Sequence, residues 1–197
     1  MQEVMTKEFG LQWRDLFSTF DDVPIAAASI GQVHAGKMKD GTDVAIKIQY
    51  PGIANSIDSD LNNLSLLLTA SRLLPKGLYL DKTIAVARTE LEWECDYVRE
   101  AECIRKFGKL LEGDRDYRVP KVIDEASGKN VITMERMWGI PVGKRSSEFT
   151  QEVRDWIGTQ VLRLCLRELK EFKYMQTDPN WTNFLYNPNT KQVLRSL

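Results

Sequence analysis

Histidine and cysteine are scarce in this chain, and their scarcity removes most metal and thiol chemistry at the outset. The one histidine is His34, and the three cysteines, Cys95, Cys103 and Cys165, show no metal-ligand spacing. Cys95 and Cys103 fall eight residues apart on one predicted helix, about 12 Å along its axis and too far for a disulfide. All three read as small, partly apolar residues of a reducing compartment. Net charge is close to nil as well, −1 with a pI near 6.0, so no global field favours nucleic acid or an anionic membrane as partner. Long hydrophobic runs are also missing. The greasiest stretch, Leu64 to Leu74, is interrupted by Ser65, Thr69, Ser71 and Arg72 and is too short to span a bilayer. The opening MQEVMTKEFGLQW has no apolar signal core, and its acids argue against a presequence. What is present suits one ordinary globular domain: 197 residues, 43% hydrophobic and 28% charged, enough for a sizeable core.

Periodicity sketches an α+β chain. Phe9, Trp13, Leu16, Phe17 and Phe20 stand at helical spacing and predict an amphipathic helix. Two strands follow over Ser29–Met38 and Asp43–Tyr50, joined through Asp40-Gly41, a hairpin signal. Pro51-Gly52 ends the second. Helices are predicted from Ser56 to Leu74, stopping at Pro75, and from Lys82 to Leu111 without a break. A second hairpin runs from Arg118–Asp124 to Asn130–Met137 and turns at Ser127-Gly128. A long helix over Gln151–Phe172 carries Val153, Trp156, Ile157, Val161, Leu164, Cys165 and Phe172 as one apolar stripe, which is ordinary core packing. The tail from Lys173 is expected to be a loop with one short strand.

Three segments carry candidate chemistry. In Asp43–Gln49 the side chains alternate, so Val44, Ile46 and Ile48 share one face and Ala45, Lys47 and Gln49 the other. A lone strand lysine is usually a solvated edge charge. Lys47, however, lies fourteen residues after Val33, which closes an Ala-x-Ala-x-x-Gly-x-Val frame begun at Ala26. In a nucleotide site such a lysine holds the α- and β-phosphates and needs an acidic partner. The acid-rich helix supplies candidates. Most of its acids are best read as a solvated face, but Asp96 and Glu100 are four apart and share a side, so either or both could turn to Lys47. Glu94, six from Glu100, is rotated by roughly 240° and serves another face. The third segment is MQTDPNWTNF, Met175 to Phe184, where Asp178 is followed five residues later by Asn183. Asp-Pro-Asn is ordinarily a turn. Here it stands between a long core helix and a short apolar strand, where a kinase-type catalytic loop places the acceptor-orienting Asp and the metal-binding Asn.

Together AAASIGQVH, VAIKIQYPG, ECDYVREAE and MQTDPNWTNF resemble the UbiB/ADCK family of atypical kinases, and within it the mitochondrial coenzyme Q8 type, over nearly the whole chain. The resemblance implies a protein-kinase-like two-lobed fold, with an N-lobe over residues 1–137 and an incomplete helical C-lobe over 138–197. It implies that Ala26, Ala27, Ala28 and Ser29 form an alanine-rich nucleotide loop, that Lys47 is the ATP-binding lysine, and that Glu100 is its ion-pair partner from an αC-like helix. Glu94 and Asp96 match the family's regulatory Glu-x-Asp motif. Met134, Glu135, Arg136 and Met137 fall at the adenine hinge, Asp178 at the catalytic aspartate and Asn183 at the Mg²⁺-binding asparagine. Where φ is positive alanine is costlier than glycine, so an alanine loop is stiffer than the usual phosphate cradle. The family is accordingly described as an ATPase with weak or absent protein kinase activity in trans.

By the same resemblance the cofactors are ATP or ADP with Mg²⁺. The partners are coenzyme Q biosynthetic enzymes and lipid-like quinone intermediates, met as a membrane-peripheral protein on the matrix side of the mitochondrial inner membrane; nucleic acid is not among them. Two departures stand against the family pattern. No Lys-x-Gly-Gln precedes Ala26, and the chain ends VLRSL where an Asp-Phe-Gly aspartate is due near Leu197. The expectation is therefore a fragment, a truncated gene model or a splice product. The rival reading is a non-catalytic nucleotide-binding pseudokinase that scaffolds biosynthetic enzymes.

Overall fold

The computed structural model describes residues 1–71, 80–177 and 180–195. It divides into two compact units, Met1–Glu102 with Val122–Met134, and Cys103–Lys121 with Glu135–Leu197.

The first unit is organised by an antiparallel sheet. Its centre is the hairpin of β3 (Gly31–Met38) and β4 (Asp43–Gln49), paired from Gly31 with Gln49 to Lys37 with Asp43. The turn is the one expected: Gly41 has φ 91° and Asp40 accepts from the Thr42 amide at 2.8 Å. β1 (Phe17–Phe20) and β2 (Ala26–Ala27) both pair with β3, while β6 (Val131–Glu135) flanks β4. The alternation of β4 resolves as its pattern implies. Val44, Ile46 and Ile48 are fully buried and pack with Met5, Trp13, Phe17, Met38 and Val131. Lys47 is left on the opposite, half-open face.

The aromatic stripe at Phe9–Phe20 is not one helix. A helix α1 (Gln2–Phe9) stops at Gly10, whose φ of 84° suits glycine; Trp13–Leu16 form a single 3₁₀ turn, and Phe17–Phe20 is strand β1. Tertiary pairing overrides the helical spacing, because β3 offers an edge at Gly36, where a Cβ would stand 2.9 Å from the Thr19 carbonyl oxygen. Two helices follow β4 at its far end, α2 (Ile53–Ser71) and α3 (Leu80–Glu94), tied by an Arg88–Asp58 ion pair. The predicted stop at Pro75 lies outside the described residues. The helix expected to run unbroken from Lys82 to Leu111 is instead two: α3 ends at Glu94, and α4 (Tyr97–Leu110) begins after a break at Cys95-Asp96. The second hairpin is present in reduced form, with Val122 bridging Met134 and the Ile123 amide donating to Thr133 at 2.8 Å.

The second unit packs helix α5 (Gln151–Arg167) against a small mixed sheet of order β5 (Tyr117–Arg118), β9 (Gln192–Arg195), β8 (Phe184–Asn187) and β7 (Ile140–Pro141). Thr150 caps α5 by accepting from the Val153 amide. The apolar stripe of α5 is the core, with Ile157, Val161 and Leu164 buried among Tyr117, Phe184, Tyr186 and Val193. The tail holds more structure than one strand in a loop: β8 and β9 form a hairpin, and β9 also pairs in parallel with β5. The three cysteines are free thiols. No described helix is long and apolar enough to cross a membrane.

Candidate nucleotide-binding site

In the first unit, Ala26 and Ala27 are extended and pair with Val33 and Gln32 of β3, and the Ala28 amide closes a tight turn by donating to the Gly31 carbonyl at 2.9 Å. None of the loop alanines has positive φ; among the described residues only Lys173 and Lys191 do so without being glycine. Alanine is therefore unstrained here, and the loop is a hairpin stiffened by strand pairing instead of a flexible glycine cradle. Ala26, Ala27 and Ser29 are exposed. Gly31, by contrast, has to be glycine: a Cβ there would stand 2.3 Å from the Ile48 carbonyl oxygen.

Lys47, at the middle of β4, donates to both carboxylate oxygens of Glu100, at 2.9 and 3.1 Å. The two side chains keep 16% and 22% of their exposure, so the pair is largely desolvated yet reachable from solvent. Beneath it the Tyr97 ring lies 4.8 Å from the ammonium. Burial, and then the neighbouring Glu100 charge, push the Tyr97 phenol far up from its ordinary value, so it remains neutral. The break between α3 and α4 is what brings Glu100 round. Asp96 accepts from the Arg99 amide at 2.9 Å and so acts as the N-cap of α4, its carboxylate spent on the helix end. Gln49 reaches the break from β4, donating to the Cys95 carbonyl at 2.5 Å. Glu94, the last residue of α3, accepts from Ser29 Oγ at 3.3 Å and so touches the end of the alanine loop. Of the acids open to Lys47 from sequence, Glu100 pairs with it and Asp96 caps.

Met134 is buried at the end of the first unit's share of β6. Glu135, Arg136 and Met137 belong to the second unit and are half-buried. There Glu135 is ion-paired to Arg118 while its amide donates to the Lys121 carbonyl at 2.8 Å, and the Arg136 guanidinium lies over Trp138 at 4.1 Å. Asn183 closes a 3₁₀ turn, Trp181–Asn183, capped by Asn180, which accepts from the Thr182 amide at 3.0 Å. A Cβ on Gly143 would come within 3.1–3.2 Å of Thr182 and Trp181, so glycine lets the chain pass close to this turn. Asp178 lies outside the described residues. Sequence reading overlooked Tyr97 and Gln49; the only signal for either is that each neighbours a motif residue, Tyr97 following Asp96 and Gln49 two places after Lys47.

An antiparallel sheet bearing an alanine hairpin and a lysine ion-paired to a helix glutamate, in a chain that continues into a helical unit with a short β-hairpin, defines a kinase-like α+β protein. The family model for the ABC1 atypical kinase-like domain matches residues 1–195, and the chain belongs to that family. It is 56% identical over 98% of its length to "Atypical kinase COQ8, mitochondrial" of Saccharomyces cerevisiae, covering 38% of that protein. It is 50% identical over 98% of its length to "Atypical kinase COQ8B, mitochondrial" of Danio rerio, covering 31% of it. The solved structure of Rv3197 with erythromycin from Mycobacterium tuberculosis superposes with a TM-score of 0.82 at 31% identity, over 98% of this chain and 49% of that one. The chain thus spans about a third of the length of the curated relatives it matches.

Proposed function

We propose that this chain contributes the nucleotide site of an atypical kinase/ATPase that binds ATP with Mg²⁺ and supports ubiquinone biosynthesis on the matrix side of the mitochondrial inner membrane. The observation that carries the reading is the Lys47–Glu100 ion pair, bidentate and only partly open to solvent. A lysine held this way presents a fixed cation for anionic oxygens at no further ordering cost. The exposed Ala26–Ser29 hairpin offers main-chain groups beside it, and its unstrained alanines suit a firm cover for phosphates. Met134–Met137 is read as the adenine hinge. Asn183 is read as one Mg²⁺ ligand, and Asp178 as the residue that orients the acceptor. ATP and Mg²⁺ supply the transferable phosphoryl group and the charge that neutralises it. The names of the relatives, atypical kinases and mitochondrial, support the class and the compartment. Quinone intermediates and biosynthetic enzymes are the partners this reading names.

The test is thermal unfolding with ADP or ATP, with and without Mg²⁺, beside Lys47→Ala. Ligand at a hundred times its dissociation constant adds about 2.7 kcal/mol, roughly 5–10 °C in a chain of this size. Stabilisation of the wild type and not of Lys47→Ala is expected. Cooperative unfolding of both with no response to nucleotide would refute the site.

A further inference from the structure

Helix α5 ends in an unusual way. Past Arg167 the chain widens into a π-helical turn, Glu168–Phe172, and then reverses through Lys173, which is left-handed at φ 51°, ψ 30°. The Tyr174 amide donates back to the Glu168 carbonyl at 3.1 Å, and the Gln176 amide donates to the Glu168 carboxylate at 3.2 Å. Glu168 is 3% exposed. A carboxylate is costly to bury and a left-handed lysine costs about 1 kcal/mol, so two local penalties meet in one turn. What they secure is the main chain of Tyr174–Gln176. The same segment is held a second time through its side chain: Tyr174 Oη donates to Cys103 Sγ at 2.8 Å, its ring packs on Phe107, and Lys106 Nζ lies 3.6 Å from it. Two residues beyond Gln176 along the chain comes Asp178.

We infer that Glu168 is a positioning residue: its carboxylate oxygen, by accepting from the Gln176 amide, holds the start of the segment that carries Asp178. This rests on the reading of Asp178 as the acceptor-orienting aspartate. A displacement of about 1 Å at a reacting group costs up to a hundredfold in rate, and π turns recur where a helix is bent to functional need. The property that matters is the reach of an acceptor oxygen, and charge is secondary. Glu168→Gln keeps an oxygen at the same reach; Glu168→Asp keeps the charge and withdraws the oxygen by one methylene.

The experiment measures kcat and KM for ATP turnover by wild type and both variants, together with amide hydrogen exchange over residues 174–177 and Tm. Glu168→Asp is expected to lose about tenfold or more in kcat with KM for ATP within about twofold, and to exchange several-fold faster at the Gln176 amide. Glu168→Gln should stay within about threefold of wild type on both. A Glu168→Asp variant that turns over and exchanges like wild type overturns the inference. So does a Glu168→Gln variant that falls as far as Glu168→Asp, which would mean the buried charge is what counts. Failure of the underlying functional reading looks different: the wild type itself then shows neither turnover nor stabilisation by nucleotide.

Discussion

Separating the charges of the Lys47–Glu100 pair should reveal a coupling larger than surface ion pairs give. Lys47→Met keeps the stem over the Tyr97 ring and removes only the ammonium; Glu100→Gln keeps the shape and removes the charge. Exposed pairs are worth about 0.2–1 kcal/mol, and breaking a fully buried one costs about 3–5. With contacts of 2.9 and 3.1 Å and side chains 16% and 22% exposed, this pair falls between, at a coupling of about 1–2 kcal/mol. Each single variant leaves the other charge in a half-dry site without its partner, so each should lose more than the double variant adds beyond it. Urea unfolding of the four proteins without nucleotide measures the term as the departure from additivity. It should persist in 0.5 M NaCl, because screening weakens desolvated pairs least. Additivity within about 0.3 kcal/mol would mean that the two side chains are not energetically joined. The argument that Lys47 is held ready for phosphate would then be lost.

Other outcomes follow from single contacts. Gly31→Ala forces a Cβ to 2.3 Å from the Ile48 carbonyl oxygen, and the other near atoms are also β4 main chain. Nothing flexible can yield, so a loss of about 2–3 kcal/mol in chemical unfolding is expected, with weakened nucleotide response; an unchanged midpoint would show that the two strands part freely. Asp96→Ala removes the N-cap of α4 and should cost about 1 kcal/mol in the same assay, with Asp96→Asn restoring most of it. Asp114 is subject to burial, which alone raises its pKa, but the Asp116 amide and Arg167 outweigh that and hold it below the ordinary carboxylate range. A folded-state pKa below the unfolded one stabilises at neutral pH and stops doing so as pH falls through it. The wild type should therefore lose stability between about pH 5 and pH 3, and Asp114→Asn, weaker at pH 7, should lose less across that range.

Local signals were legible wherever the structure honours a short-range rule. The Asp40-Gly41 turn, the buried alternate residues of β4 and the core stripe of α5 depend on the chain's own period and on one turn's backbone, and all three appear where the sequence puts them. The β5–β9 pairing joins residues far apart in sequence, Tyr117 with Val193, and nothing in a two-residue strand announces it. Glu168 reads as one more surface acid on a helix, because burial belongs to the neighbours and not to the residue.

The sequence by itself determined the residue types of the candidate site, their order along the chain, and the strand that sets Lys47 opposite the apolar face. Tertiary structure alone decided that Phe17–Phe20 is a strand, since helical spacing and an open sheet edge compete for the same side chains and the edge wins. It also decided which acid meets Lys47. A continuous helix puts Asp96 and Glu100 on one side; the break at Cys95-Asp96, held from β4 by Gln49, turns Asp96 into a cap and leaves Glu100 to the lysine. A break in a helix resets the phase of everything after it, and that reset is made by contacts from another element, which no local period records.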